Sequence, residues 1–113
     1  MFEKAVEVLV QAALAGHRQI QGLLHDRTAL QGECVVGLFH LAFHKWNRDL
    51  ALSCSAPDKY GEALRAYGFR EIIDQCPECG IYEKRPGSLV IHWNDFHKWD
   101  FLTIARKLES LSS

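Results

Sequence analysis

The segment CPECGIYEKRPGSLVIHWNDFH, residues 76–97, is the part of the sequence from which the expected fold is best predicted. It contains Cys76 and Cys79 in a C-x2-C turn and, after twelve intervening residues, His92 and His97 in an H-x4-H pair. This order and spacing are typical of zinc sites in which two thiolates and two imidazoles fill all four tetrahedral positions. We therefore predict a structural zinc ion on these four residues, with no open position for chemistry.

Two other interpretations of the cysteine pair stay open. A redox C-x-x-C pair normally follows a strand and opens a helix, whereas Pro77 and Gly80 favour a turn. Alternatively, the two cysteines are ordinary thiols and the two histidines are surface groups. Zinc accounts for all four residues together, and it predicts that Asp95 accepts a hydrogen bond from a ligand histidine. For the chain to return from one histidine to the other, we expect a left-handed conformation at Asn94.

A finger that reads nucleic acid is the alternative to a purely structural zinc site. Leu89 occupies the expected apolar position before the first histidine, but Glu83 stands where an aromatic residue is usual. The candidate nucleic-acid contacts are Lys84, Arg85 and Lys98. However, the chain carries 13 basic and 14 acidic residues, for a net charge of −1, and this balance disfavours binding driven by phosphate attraction alone.

Outward from the cysteine–histidine stretch, the pattern predicts helices. Residues 2–15 form the first helix, with one apolar face that consists of Phe2, Val6, Leu9, Val10 and Ala13. Residues 34–46 are apolar around most of the circumference and predict a buried helix. A short helix over 58–67 ends before Gly68, and Ser88 begins another over 89–94.

The last helix is predicted to run from Phe101 to Leu111 with Asp100 as its N-cap. Its apolar face consists of Phe101, Ile104, Ala105, Leu108 and Leu111. The fold class is therefore mainly α, with α+β as a possibility: about four or five helices, a zinc knuckle and a short β-ribbon, for which we expect a strand over residues 69–73. We place a turn at residues 25–28 and a loop at residues 53–58.

With 113 residues, the chain fits a single domain, 1–113. Within it, residues 1–70 form a helical part and residues 71–113 the zinc knuckle with the C-terminal helix. No apolar run approaches the roughly 20 residues of a membrane span. Because residues 1–4 also lack a basic region typical of a secretory signal, we expect a cytoplasmic protein.

The remaining cysteines and histidines have simpler explanations. His40 and His44 stand at i, i+4, a spacing that suits a metal, but no third ligand is apparent. We expect one buried, hydrogen-bonded histidine and one at the rim. We interpret Cys34 as a small buried apolar residue, and Cys54 shows no partner in the pattern.

Three aromatic residues, Trp93, Phe96 and Trp99, surround the second histidine. Beside Lys98 they are candidates for stacking on nucleobases. We favour the other interpretation, in which they form the core that zinc joins to the last helix.

The segment LVIHWNDFHKWDFLTIARKL, residues 89–108, resembles the C-terminal motif of small uncharacterised proteins encoded by bacteriophages and prophages. Their pattern is a CPxC knuckle, then H-(L/W)-N-D-x-H-x-W, then a capped helix with an Ile-Ala pair. The matching residues are His92, Trp93, Asn94, Asp95, His97, Trp99, Asp100, Ile104 and Ala105. Trp93 replaces a commoner leucine, and Asp100 replaces a commoner serine or threonine. The resemblance implies a phage or prophage origin and carries no known activity.

No P-loop, dinucleotide fingerprint or nucleophile–base pair is present, so we expect a protein that is not an enzyme. Small phage proteins often bind a host macromolecule. The sequence therefore predicts a zinc-binding accessory protein that binds and modulates a host or phage protein. The alternative is a zinc-finger regulator that binds nucleic acid.

Overall fold

The computed structural model describes residues 2–22, 25–26, 28, 31–53, 57–69, 74–76, 79, 82–83 and 88–112. Within these residues the chain forms six helices and two antiparallel strand pairs. The elements are α1 (Glu3–Leu14), β1 (His25–Asp26), β2 (Gly32–Glu33), α2 (Val35–Phe43), α3 (Arg48–Ser53), α4 (Pro57–Ala66), β3 (Asp74–Gln75), β4 (Tyr82–Glu83), α5 (Ser88–Asp95) and α6 (Phe101–Ser112). The predicted mainly helical class is confirmed, with α3 as a helix that the sequence pattern did not predict.

Helix α2 lies at the centre of the fold and contacts α1, α4 and α5. Its sequence VVGLFHLAF is apolar around almost the whole circumference, which suits a helix surrounded by neighbours. Every residue from Val35 to Leu41 is buried. The two ends of the chain meet beside it, because α1 packs mainly against α6.

The buried face of α1 differs from the predicted one. The buried residues are Phe2, Ala5, Val8, Leu9 and Ala12. Val6 and Val10 are only partly buried, and Ala13 is exposed. Phe2 and Leu9 belong to both faces, but the buried face is rotated from the predicted one towards Ala5, Val8 and Ala12. The two buried alanines let neighbouring helices approach closely.

Helix α2 ends three residues before the predicted Trp46. Lys45 and Trp46 have left-handed backbone angles (φ 58° and 63°), and Trp46 N donates to Leu41 O at 2.9 Å. This turn closes α2, and Asn47 then caps α3 by accepting a hydrogen bond from Leu50 N at 3.0 Å. The predicted loop over residues 53–58 is shorter than expected, since α4 already begins at Pro57; residues 54–56 lie outside the described part.

Helix α6 confirms its predicted cap and face. Asp100 Oδ1 accepts a hydrogen bond from Thr103 N at 2.8 Å, the geometry of an N-cap. Four predicted face residues are buried: Phe101, Ile104, Ala105 and Leu108. The Leu111 side chain lies outside the described part of the structure.

Both strand pairs are two residues long. The first pairs His25 with Glu33 and Asp26 with Gly32, so that the segment predicted as a turn begins as a strand. The second pairs Asp74 with Glu83 and Gln75 with Tyr82, immediately before Cys76, and confirms the predicted ribbon. Of the strand predicted at 69–73, Phe69 does not belong to a strand, and residues 70–73 lie outside the described part. None of the described helices combines the length and the hydrophobicity that crossing a bilayer requires.

Candidate metal centre

The four predicted ligands come together in one group. Cys76 follows β3, Cys79 lies in the turn after it, His92 is in α5, and His97 follows the end of α5. Their ligand atoms all lie within 4.8 Å of one another. Cys76 Sγ is 3.6 Å from His97 Nε2, and Cys79 Sγ is 3.2 Å from His92 Nε2. The residues can therefore hold a metal ion between two sulfur and two nitrogen atoms.

The group is buried on one side and open on the other. Cys76 is 1% exposed, whereas Cys79 is exposed and both histidines are partly buried. The two imidazole rings are nearly perpendicular, with centroids 4.8 Å apart at 88°. A bound ion would thus join the ribbon to α5 close to the surface.

The end of α5 brings the two histidines together. Phe96 N and His97 N both donate to His92 O, at 2.9 and 3.3 Å, so the helix continues for a turn beyond the first ligand. The left-handed residue is Lys98 (φ 55°), and Trp99 N then donates to Trp93 O at 3.0 Å. The predicted left-handed conformation at Asn94 is wrong, because Asn94 lies within α5.

Asn94 has a role that the sequence pattern did not reveal. It is fully buried, and its side chain connects three parts of the chain. Oδ1 accepts hydrogen bonds from Gln19 Nε2 at 2.7 Å and Val35 N at 3.2 Å, while Nδ2 donates to Ile20 O at 2.9 Å. The side chain therefore attaches α5 to the start of α2 and to the segment after α1.

Asp95 binds neighbouring groups through Oδ1, which accepts from Gly22 N at 3.2 Å and from Asn94 Nδ2 at 2.7 Å. These bonds place the Asp95 carboxylate next to the Asn94 side chain. Its predicted contact with a ligand histidine stays a prediction.

The three aromatic residues near His97 have different environments. Trp93 is fully buried, and Trp99 is partly buried with its ring 5.5 Å from that of Trp93. Both belong to the core as predicted. Phe96 does not, because it is 66% exposed and stacks on the ring of His92 with centroids 5.0 Å apart.

Of the candidate nucleic-acid contacts, Lys84 and Arg85 lie outside the described residues. Lys98 is exposed directly after His97. Lys107 Nζ lies 5.4 Å from the centroid of the Trp99 ring, so this positive charge already makes a cation–π contact within the protein.

The other histidines and Cys34 agree with their simpler interpretations. His40 is fully buried, with Nδ1 3.0 Å from His25 Nε2, and His44 is partly buried. Cys34 is 4% exposed, and burial raises the pKa of its thiol to about 11, which makes it unreactive. Cys54 lies outside the described residues.

A second polar cluster surrounds Glu33, and no sequence motif indicated it. Glu33 is fully buried, yet it accepts hydrogen bonds from His17, His25 and Arg48. Burial alone would raise the pKa of Glu33, but these three partners outweigh it and hold the pKa at about 2. The group is therefore a buried carboxylate.

Comparison of the chain with protein-family models, with curated proteins and with solved structures finds no match.

Proposed function

We propose that this chain is a zinc-binding accessory protein that acts by binding a partner protein in the bacterial cytoplasm, and that it is not an enzyme. The observation that carries the proposal is the convergence of Cys76, Cys79, His92 and His97 within 4.8 Å. The phage or prophage setting, and with it a host or phage protein as the partner, rests on the resemblance of residues 89–108.

Zinc suits the donor set and its dimensions. Bond lengths of about 2.3 Å to sulfur and about 2.0 Å to nitrogen give a tetrahedral sulfur–nitrogen edge of about 3.5 Å. Two of the sulfur–nitrogen distances in the structure, Cys76–His97 and Cys79–His92, are 3.6 and 3.2 Å. Four protein ligands leave no position for water or substrate, so the ion would be structural rather than catalytic.

Metal analysis of the purified protein tests the zinc site. We expect one zinc per chain in the wild type and its loss in the Cys79→Ser and His92→Asn variants. Cys34→Ala is the matched control, because this buried thiol lies outside the group and should leave the zinc content unchanged. Metal-free protein whose thiols cycle with thioredoxin-like reductants would instead favour the redox interpretation.

The metal group supports an exposed aromatic side chain. The Phe96 ring stacks on His92 at an angle of 11° and meets His97 edge-on at 85°. A bound ion would hold both imidazoles and so fix the orientation of Phe96. Rigid aromatic side chains are frequent anchors in protein interfaces, and we infer that Phe96 is such an anchor.

Nucleic-acid binding is the alternative, and the position of Lys98 beside exposed Phe96 favours it. Base stacking on the phenyl ring would need phosphate contacts nearby. Against this, the segment also carries Asp95 and Asp100, and the whole chain has a net charge of −1. A protein partner therefore fits the surface better.

Two measurements separate these alternatives. The first is capture from host lysate by zinc-loaded protein, comparing wild type with Phe96→Ser and with Leu14→Ser, since Leu14 is also exposed but lies on α1. We expect a protein retained by wild type and Leu14→Ser and lost with Phe96→Ser.

The second measurement is binding to labelled duplex and single-stranded DNA. Micromolar binding that weakens steeply with salt and is lost on neutralising Lys84, Arg85 and Lys98 would favour the regulator instead.

A further inference from the structure

A cavity of about 460 Å³ lies away from the metal ligands. It opens between the segment after α1, strand β2 and the corner that joins α2 to α3. Its size falls within the range of small-molecule sites. The lining residues that matter here are His17, Arg18, Glu33, Trp46 and Arg48.

Glu33 organises the wall of this cavity and is itself saturated. His17 Nε2 lies 2.9 Å from Oε1, His25 Nδ1 lies 3.0 Å from Oε2, and Arg48 Nη1 lies 2.9 and 2.7 Å from the two oxygens. Because both oxygens already accept two hydrogen bonds each, the carboxylate has little capacity left for a ligand. Its effect is to orient His17 and Arg48 and to neutralise one positive charge.

Donor capacity remains on Arg18. His17 donates Nε2–H to Glu33, so in the neutral ring Nδ1 is an acceptor and the oxyanion is left to the arginine. Arg18 Nη1 bonds to Asp26 Oδ2 at 2.6 Å and to Gln31 O at 3.5 Å, and among the described residues nothing accepts from its other two nitrogens. The Arg18 side chain is 46% exposed, so these nitrogens are accessible.

The rim of the cavity is conformationally strained. Gln31 and Trp46 both line it, and both have positive φ angles, 48° and 63°. This conformation is unfavourable for a bulky residue such as tryptophan, and strain of this kind clusters at functional sites. Trp46 is 43% exposed, and the centroid of its ring lies 6.4 Å from that of the His17 ring.

We propose that this cavity binds a small molecule in which an oxyanion, either a phosphate monoester or a carboxylate, is attached to a planar ring. Arg18 takes the oxyanion, since guanidinium matches both groups with paired hydrogen bonds. Trp46 contacts the ring. This site is independent of zinc and of the surface around Phe96.

Titration of the zinc-loaded protein, followed by backbone amide chemical shifts, tests the proposal. The probes are phenyl phosphate and benzoate, with phenol as the uncharged comparison and inorganic phosphate as the comparison without a ring. We expect phenyl phosphate or benzoate to bind at least about tenfold more tightly than both comparisons, since a hydrogen bond to a charged group contributes that much. The tighter of the two identifies the oxyanion.

The expected shifts lie at residues 16–18, 31–33 and 46–48. Arg18→Gln should weaken binding about tenfold, whereas Arg65→Gln, an exposed arginine on α4, should leave it unchanged. The proposal is overturned if no probe saturates below about 10 mM, if the shifts lie elsewhere, or if Arg18→Gln binds as tightly as the wild type.

Discussion

Asn94 shows how much a single buried side chain contributes to this fold. Its hydrogen bonds satisfy two backbone groups, Val35 N and Ile20 O, that lie far away in sequence. Asn94→Ala leaves both without their partner, and we expect a loss of about 3 kcal/mol in the free energy of unfolding. Asn47→Ala is the matched control: it removes only an exposed helix cap and should cost about 1 kcal/mol. Urea denaturation of both variants measures the difference, and equal losses would contradict the connecting role of Asn94.

Because of Glu33, we expect the free energy of unfolding to depend on pH in the acid range. Its pKa is lowered in the folded state from 4.5 to about 2, so the carboxylate form stabilises the fold. This contribution is complete above about pH 4.5 and is lost as the pH falls towards 2. We expect the unfolding free energy of the wild type to fall through this window, and that of Glu33→Gln to start lower and fall less steeply.

Asp26 titrates over a similar range, with its pKa lowered to about 2 by hydrogen bonds from Thr28 and Arg18. Some pH dependence therefore persists in the Glu33→Gln variant. Glu109→Gln, at an exposed site on α6, is the control and should keep the wild-type slope. If Glu33→Gln keeps that slope as well, the buried carboxylate is not responsible for it.

Among the elements, α6 depends on its cap. Hydrogen bonds from Thr103 lower the pKa of Asp100, so the cap is a carboxylate at neutral pH and also interacts favourably with the helix N-terminus. We expect Asp100→Ala to cost about 1 kcal/mol and Asp100→Asn to cost only a few tenths, because asparagine caps nearly as well. Thermal unfolding followed by circular dichroism checks this; an equal cost for both changes would contradict the capping role.

At the scale of the whole molecule, a chain of contacts leads from the candidate metal centre to the N-terminal helix. A bound ion would join the ribbon to α5, α5 contacts α6, and α6 packs against α1. Removal of zinc with a chelator should therefore lower the unfolding midpoint of the entire chain, by at least about 10 °C. Cys79→Ser should unfold at this lower temperature with or without chelator. A wild-type midpoint that does not respond to chelator would contradict a structural metal.

Features that depend on short stretches of chain were predictable from the sequence. The grouping of Cys76, Cys79, His92 and His97 follows from two short motifs, and the cap of α6 follows from Asp100 beside an apolar face. The class of the fold follows from helical periodicity and from the apolar sequence of α2. In each case the interacting groups lie within a few residues, or the residue types are so restrictive that spacing alone indicates the arrangement.

Features that depend on packing were decided only by the tertiary structure. The inward face of α1 is chosen by α2 and α6, because Val6, Val8 and Val10 place apolar side chains on more than one side of the helix. His17, Glu33 and Arg48 come from three separate segments, and no periodicity brings them together before α1, β2 and α3 pack. Likewise, Trp93 and Phe96 are both aromatic and only three residues apart, yet Trp93 is buried on the core side of α5, whereas Phe96, just after the helix, is exposed and stacks on His92. Local spacing determines which groups can interact, whereas burial and long-range hydrogen bonds are properties of the assembled chain.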